Sequence, residues 1–190
     1  MIKSFLKSER GLAALEAAFI FPFMVLLYFG LNDLTAMITF NRKITATAAA
    51  IGDTIAQYPT TITRANIADI FNAVGMVMQP TPDTAVQVNV FGYYLKNGVP
   101  TQRWHASNGN GPTCTAPDTT NYVNLMSGSN NDLVVSVACF SYTPYVASFF
   151  GNAILGHTNF LLNQTITSRP RASSTLNCIT VAGGTTSCAG

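Results

Sequence analysis

Residues Leu12 to Leu31 read LAALEAAFIFPFMVLLYFGL, a twenty-residue apolar run broken by one acid, Glu16. At 1.5 Å per residue, such a helix spans about 30 Å, the thickness of a bilayer core. A run apolar on every side is poorly suited to the surface helix of a soluble domain. A secretory signal sequence has a shorter apolar core, about 7–15 residues, followed by a small-residue cleavage site. Here the run passes into Asn32-Asp33 with no A-x-A pattern, and Ala48-Ala49-Ala50 comes too late to serve. The run therefore predicts a membrane-spanning helix. Glu16 is costly within it, roughly 2.5–3.5 kcal/mol on insertion scales for a charge at a helix centre.

Charge is scarce and unevenly placed. Only 9% of the residues are charged, against a usual ~25%, so the polar surface must come from Asn, Ser and Thr. The net charge of +2 is too small for nucleic-acid binding through a basic field. Lys3, Lys7 and Arg10 face only Glu9 in the first eleven residues, and the rest of the chain holds seven bases and seven acids. This basic leader, residues 1–11, predicts a cytoplasmic N-terminus and an outer C-terminal domain by the positive-inside rule, although Arg42 and Lys43 reduce the contrast. Pro22 should kink or loosen the span, 12–31. Ile44, Ala48, Ile51 and Ile55 continue at helical spacing, so the helix should extend through 32–58 and end at Tyr58-Pro59.

Residues 59–190 predict an outer α+β domain. Ile67, Ile70, Phe71, Val74 and Met78 form one face of an expected helix over 61–78, with Pro80 and Pro82 beyond it. From Thr84 the period becomes two, with Val86, Val88 and Val90 alternating with Gln87 and Asn89. Asn97-Gly98 predicts a hairpin into a strand over 99–106, and further strands are expected at 133–142 and 159–167. The sum is an antiparallel sheet of about four strands with the long helix on one face. Residues 107–132, rich in Asn, Gly, Thr and Ser, form a long loop that is either a mobile surface excursion or a subunit contact or exposed tip. Trp104, just before it, should pack in the core or seal the loop base.

The four cysteines lie in the outer part, where the topology implies an oxidising compartment. There is no C-x-x-C and no histidine at metal-ligand spacing, so no metal site is expected. Three pairings are open, and nearest neighbours are favoured. Cys114–Cys139 would tether the long loop to a strand, and Cys178–Cys188 would close the tail 176–190 about Gly183-Gly184. No nucleophile elbow, phosphate loop or dinucleotide turn occurs, and His105 and His157 have no convergent partners. Neither enzymatic activity nor a cofactor is expected.

The order Lys7-Ser8-Glu9-Arg10-Gly11, then Leu12 to Glu16, then the apolar run, resembles the pilin superfamily. It is most similar to the TadE-like pseudopilins, minor pilins of tight-adherence (Flp-type) type IV pilus systems. Phe40-Asn41-Arg42-Lys43 with the alanine-rich stretch to Ala50, and Val135-Ser136-Val137 with Tyr142-Thr143-Pro144 and a closing strand to Arg169, extend the resemblance loosely over most of the chain. Two features depart from it. Ala17 stands where many relatives have an aromatic residue, and Pro22 lies nearer the N-terminus than the proline of common type IV pilins. The resemblance implies a pilin-like fold and cleavage by a prepilin peptidase between Gly11 and Leu12. Glu16 then becomes the fifth residue of the mature chain, able to pair with the new ammonium at Leu12 of a neighbouring subunit. Implied partners are that peptidase, other minor pilins, the major pilin and the secretion platform. The implied location is the cytoplasmic membrane before assembly and the pilus or cell surface afterwards. The alternatives are a pseudopilin of a type II secretion or other type IV filament system, and an uncut membrane-anchored adhesin or receptor.

Overall fold

A computed structural model of the chain describes residues 9–126, 132–146 and 159–179. The chain is α+β: helix α1 (Glu9–Ala56), and a four-stranded antiparallel sheet in the order β3-β2-β4-β5. The sheet strands are β2 (Val86–Lys96), β3 (Val99–Ser107), β4 (Leu133–Tyr142) and β5 (Phe160–Ser168). Two compact units divide the contacts. One comprises residues 1–39 and 143–159, the other residues 40–142 and 160–190.

The larger unit is built on the last part of α1. Ile44, Ala48, Ile51 and Ile55 recur at helical spacing and are buried, three of them completely. They lie on the sheet face that carries the even-numbered residues of β4. Ser136 Oγ donates to the Ala48 carbonyl at 2.6 Å, and Phe40 stacks on Phe140 at 5.0 Å between ring centroids. Val86, Val88 and Val90 pair with Phe140, Ala138 and Ser136, and directly paired residues share a face. All three valines are fully buried beneath the helix. Gly52 permits this close approach, since a Cβ there would meet Ser136 Oγ at 2.6 Å. Threonines are tolerated in α1 because the hydroxyls of Thr35, Thr39, Thr45, Thr47 and Thr54 each bond the carbonyl four residues earlier.

The expected single helix over 61–78 is divided. Thr61–Thr63 is a short strand, β1, with Ile62 completely buried. Thr63 then caps α2 (Arg64–Asn72) in a reciprocal capping box with Asn66. The helical path breaks at Ala73 before α3 (Val74–Met78). β1 pairs in parallel with β6 (Asn177–Ile179), so the Thr-Ile-Thr run extends where helical periodicity had placed a first turn. The Asn97-Gly98 hairpin forms as its sequence predicts. Both residues have positive φ, 52° and 80°, the condition for a two-residue type I′ turn.

The long loop, over its described part, packs on the sheet through Cys114, Tyr122 and Met126. Residues 108–126, ending in α4 (Tyr122–Met126), cover the second face of the sheet. Tyr122 and Met126 pack with Tyr93, Leu133, Val135 and Val137. Gln87 reaches from this face, its Oε1 accepting from the Cys114 amide at 2.7 Å. Cys114 and Cys139 are joined by a disulfide with Cα atoms 5.4 Å apart. Closing that 25-residue separation contributes roughly 3 kcal/mol in the chain-entropy picture.

The described part of the tail enters the core. Leu176 and Cys178 are buried, and the Trp104 indole N–H donates to the Leu176 carbonyl at 2.9 Å. A bulge between Gly92 and Tyr93 shifts the β2–β3 register at Arg103. Arg103 stacks on Tyr94 and reaches Asp132 and Asn177, while Asp132 also accepts from the Leu176 amide at 2.9 Å. Cys178 is disulfide-bonded, and its expected partner Cys188 lies outside the described residues, as does the Gly183-Gly184 turn.

Two predictions follow from the tail contacts. A Cβ at Gly92 would meet the Trp104 indole nitrogen at 2.2 Å. Gly92→Ala should therefore destabilise the full chain by about 1–3 kcal/mol, the cost of overpacking, and red-shift the emission of this sole tryptophan; an unchanged melting curve and spectrum would refute the contact. Burial holds the Asp132 carboxyl above the ordinary carboxylate range, outweighing the opposing effects of the Leu176 amide and Arg103. A raised acid contributes stability that is complete below its unfolded pKa of about 3.9 and is lost as pH rises through its folded value. Denaturant titrations should show the wild type gaining on Asp132→Asn between pH 7 and pH 4. The opposite trend would mean that the Arg103 pair outweighs burial.

Candidate membrane-anchoring and assembly helix

Among the described side chains of α1 over residues 13–31, none is buried in the chain's own fold. Phe19 is 76% exposed, Phe21 70%, Phe23 66% and Met24 65%. The helix Ala13–Ala56 is long and apolar enough to cross a membrane, and none of its most apolar eighteen-residue stretch is buried. Pro22 lies inside the helix, which continues on both sides of it.

Glu16 sits on this surface, exposed, with Leu15, Phe19 and Ile20 exposed around it. Phe19 and Ile20, three and four residues on, share its face. The described ion pairs are Arg103–Asp132 and Arg171–Asp53, and neither involves Glu16. The Gly11–Leu12 bond lies within the helical backbone of α1. Arg10 is on the same helix, whereas Lys3 and Lys7 lie outside the described residues.

Sequence reasoning missed the role of the second acid on this helix. In the sequence Asp33 marks only the end of the apolar run. Its side chain is buried and accepts two backbone hydrogen bonds, from the Tyr145 and Val146 amides at 2.8 Å each. These amides directly follow Pro144, and each Asp33 carboxylate oxygen takes one of them. Thr143 Oγ1 also donates to Asn159 Oδ1 at 2.7 Å, joining the two described ends of the 143–159 excursion. The available signal was an acid directly after the run and a proline directly before the amides, 111 positions later in sequence.

Elsewhere the titratable groups serve packing. His105 stacks on Phe91 at 4.5 Å, and burial lowers its pKa; its Nε2 is buried without a hydrogen bond among the described residues. Tyr122 is pushed up to about 12, by burial first and then by Tyr93 and Asp118. Among the described residues no group of three His, Cys, Asp or Glu side chains is placed to hold a metal ion. His157 lies outside them. A cavity of about 60 Å³ between α1 and α2–α3, lined by Ile51, Ile70, Val74 and Val77, is far below the roughly 300 Å³ of a small-molecule site.

No protein-family model, curated protein or solved structure matches this chain.

Proposed function

We propose that the chain is a TadE-like minor pseudopilin, anchored in the cytoplasmic membrane by residues 12–31, cut after Gly11 by a prepilin peptidase, and recruited into a tight-adherence type IV pilus or its initiation complex. The observation that carries this reading is the division of one helix. Its second part packs on a folded domain, while its first is an exposed apolar surface bearing Glu16.

Such a surface suits two successive environments, lipid and then a bundle of like helices. In either one an unpaired carboxylate is expensive. Cutting before Leu12 creates an ammonium four residues, about 6 Å along the axis, from Glu16. Pairing each carboxylate with the ammonium of a neighbouring subunit offsets the desolvation of both charges and favours one axial stagger, as buried polar residues do in coiled coils. Gly11 suits the cut, since it lacks a side chain and weakens helix there by about 1 kcal/mol relative to Ala. Removing residues 1–11 also removes the chain's whole excess charge and leaves a neutral subunit. The peptidase, other minor pilins, the major pilin and the secretion platform are the proposed partners.

N-terminal sequencing of the membrane-extracted protein tests the processing step. A start at Leu12 supports it; an intact Met1 contradicts it and favours an uncut anchored adhesin. Glu16→Ala separates assembly from insertion. The substitution removes the charge that opposes insertion, so membrane retention and cleavage should persist. Incorporation into filaments should fall at least tenfold, the factor that about 1.4 kcal/mol carries. Normal incorporation would defeat the pairing role.

A further inference from the structure

We infer that Asp33 pins the chain at Tyr145 to the outer end of the membrane helix, so that Tyr145 forms a second contact with the lipid headgroup layer. The inference rests on residues 12–31 being the span. Asp33 lies two residues beyond Leu31, about 3 Å further along the axis. The headgroup layer is about 5–8 Å deep on each side of the hydrocarbon core. A backbone amide bonded to the Asp33 carboxylate is therefore held at headgroup level. The Tyr145 amide is such a donor, at 2.8 Å, and the Val146 amide is a second.

The local chemistry fits that layer. Tyr145 is 70% exposed, and tyrosine is enriched at membrane interfaces because its ring is apolar and its hydroxyl polar. Leu34 and Ile38 are 54% and 47% exposed, so the apolar surface of α1 continues past the acid. The sequence 143–159 contains no Asp, Glu, Lys or Arg, and His157 is the one side chain in it that can turn cationic. Asp33 is itself compatible with the site because both its carboxylate oxygens accept amide donors. The commitment is to lipid; contact with another protein subunit is the rival outcome.

The test uses the full chain in phosphatidylcholine vesicles, nitroxide-labelled at Tyr145→Cys. No described cysteine is free to compete for the label. The Tyr145→Cys change leaves the backbone amide in place. Labels at Leu27→Cys and at Val99→Cys, an exposed residue of the hairpin, give the lipid and aqueous references. Collision rates with oxygen and with a water-soluble nickel chelate report depth. The expected result is hydrocarbon depth at Leu27, full chelate access at Val99, and a several-fold loss of chelate access at Tyr145 relative to Val99. Adding Asp33→Leu should return the Tyr145 label to the Val99 value. Full aqueous access at Tyr145 with Leu27 in lipid overturns the inference and leaves the anchor standing. Aqueous access at Leu27 overturns both. Protection at Tyr145 that survives Asp33→Leu, or that appears only when subunits associate in detergent without lipid, also overturns it.

Discussion

The packing of the second part of α1 on the sheet is the interaction on which the rest depends. Ile44, Ala48, Ile51 and Ile55 cover Val86, Val88, Val90 and the even-numbered side of β4. Each isoleucine buried this way contributes about 1.5–3 kcal/mol. The fit is close at Gly52, and the Ser136 hydroxyl links helix and sheet by its bond to the Ala48 carbonyl. A helix whose later turns are fixed by tertiary contact can extend its earlier turns without a core of their own.

The other side of the sheet solves a different problem. With 9% charged residues the chain has little means of solvating a bare sheet face. Residues 108–126 close it, using Tyr122 and Met126 as apolar cover and the Cys114–Cys139 bond as a tether. Trp104 and the Arg103–Asp132 pair then hold the tail strand in place. Buried tyrosines and a lowered histidine accompany this packing, so the perturbed ionisations around the sheet have a structural cause.

Much of this architecture was legible in sequence, because it rests on local periodicity. The isoleucine stripe, the Val86–Val88–Val90 alternation and the Asn97-Gly98 turn each follow from spacing alone. What was hidden depends on long-range pairing. Thr61–Thr63 is a strand because β6, more than a hundred residues later, lies beside it. The loop covers a sheet face because Tyr122 and Met126 meet Tyr93 and Leu133 in space. Asp33 read as the end of an apolar run, and its partners Tyr145 and Val146 carry no side-chain signature of the contact. Glu16 was visible at once, since one acid in twenty apolar residues is conspicuous; the pairing proposed for it lies between chains, beyond what one chain displays.

The most direct measurement of that pairing is zero-length carbodiimide cross-linking of filaments assembled from a mixture of isotopically light and heavy subunits. The account predicts an amide bond between the Glu16 carboxyl and the Leu12 amine in peptides that combine one light and one heavy partner. Links found only within single-label peptides, or a Leu12 amine that stays unlinked in intact filaments, would contradict it.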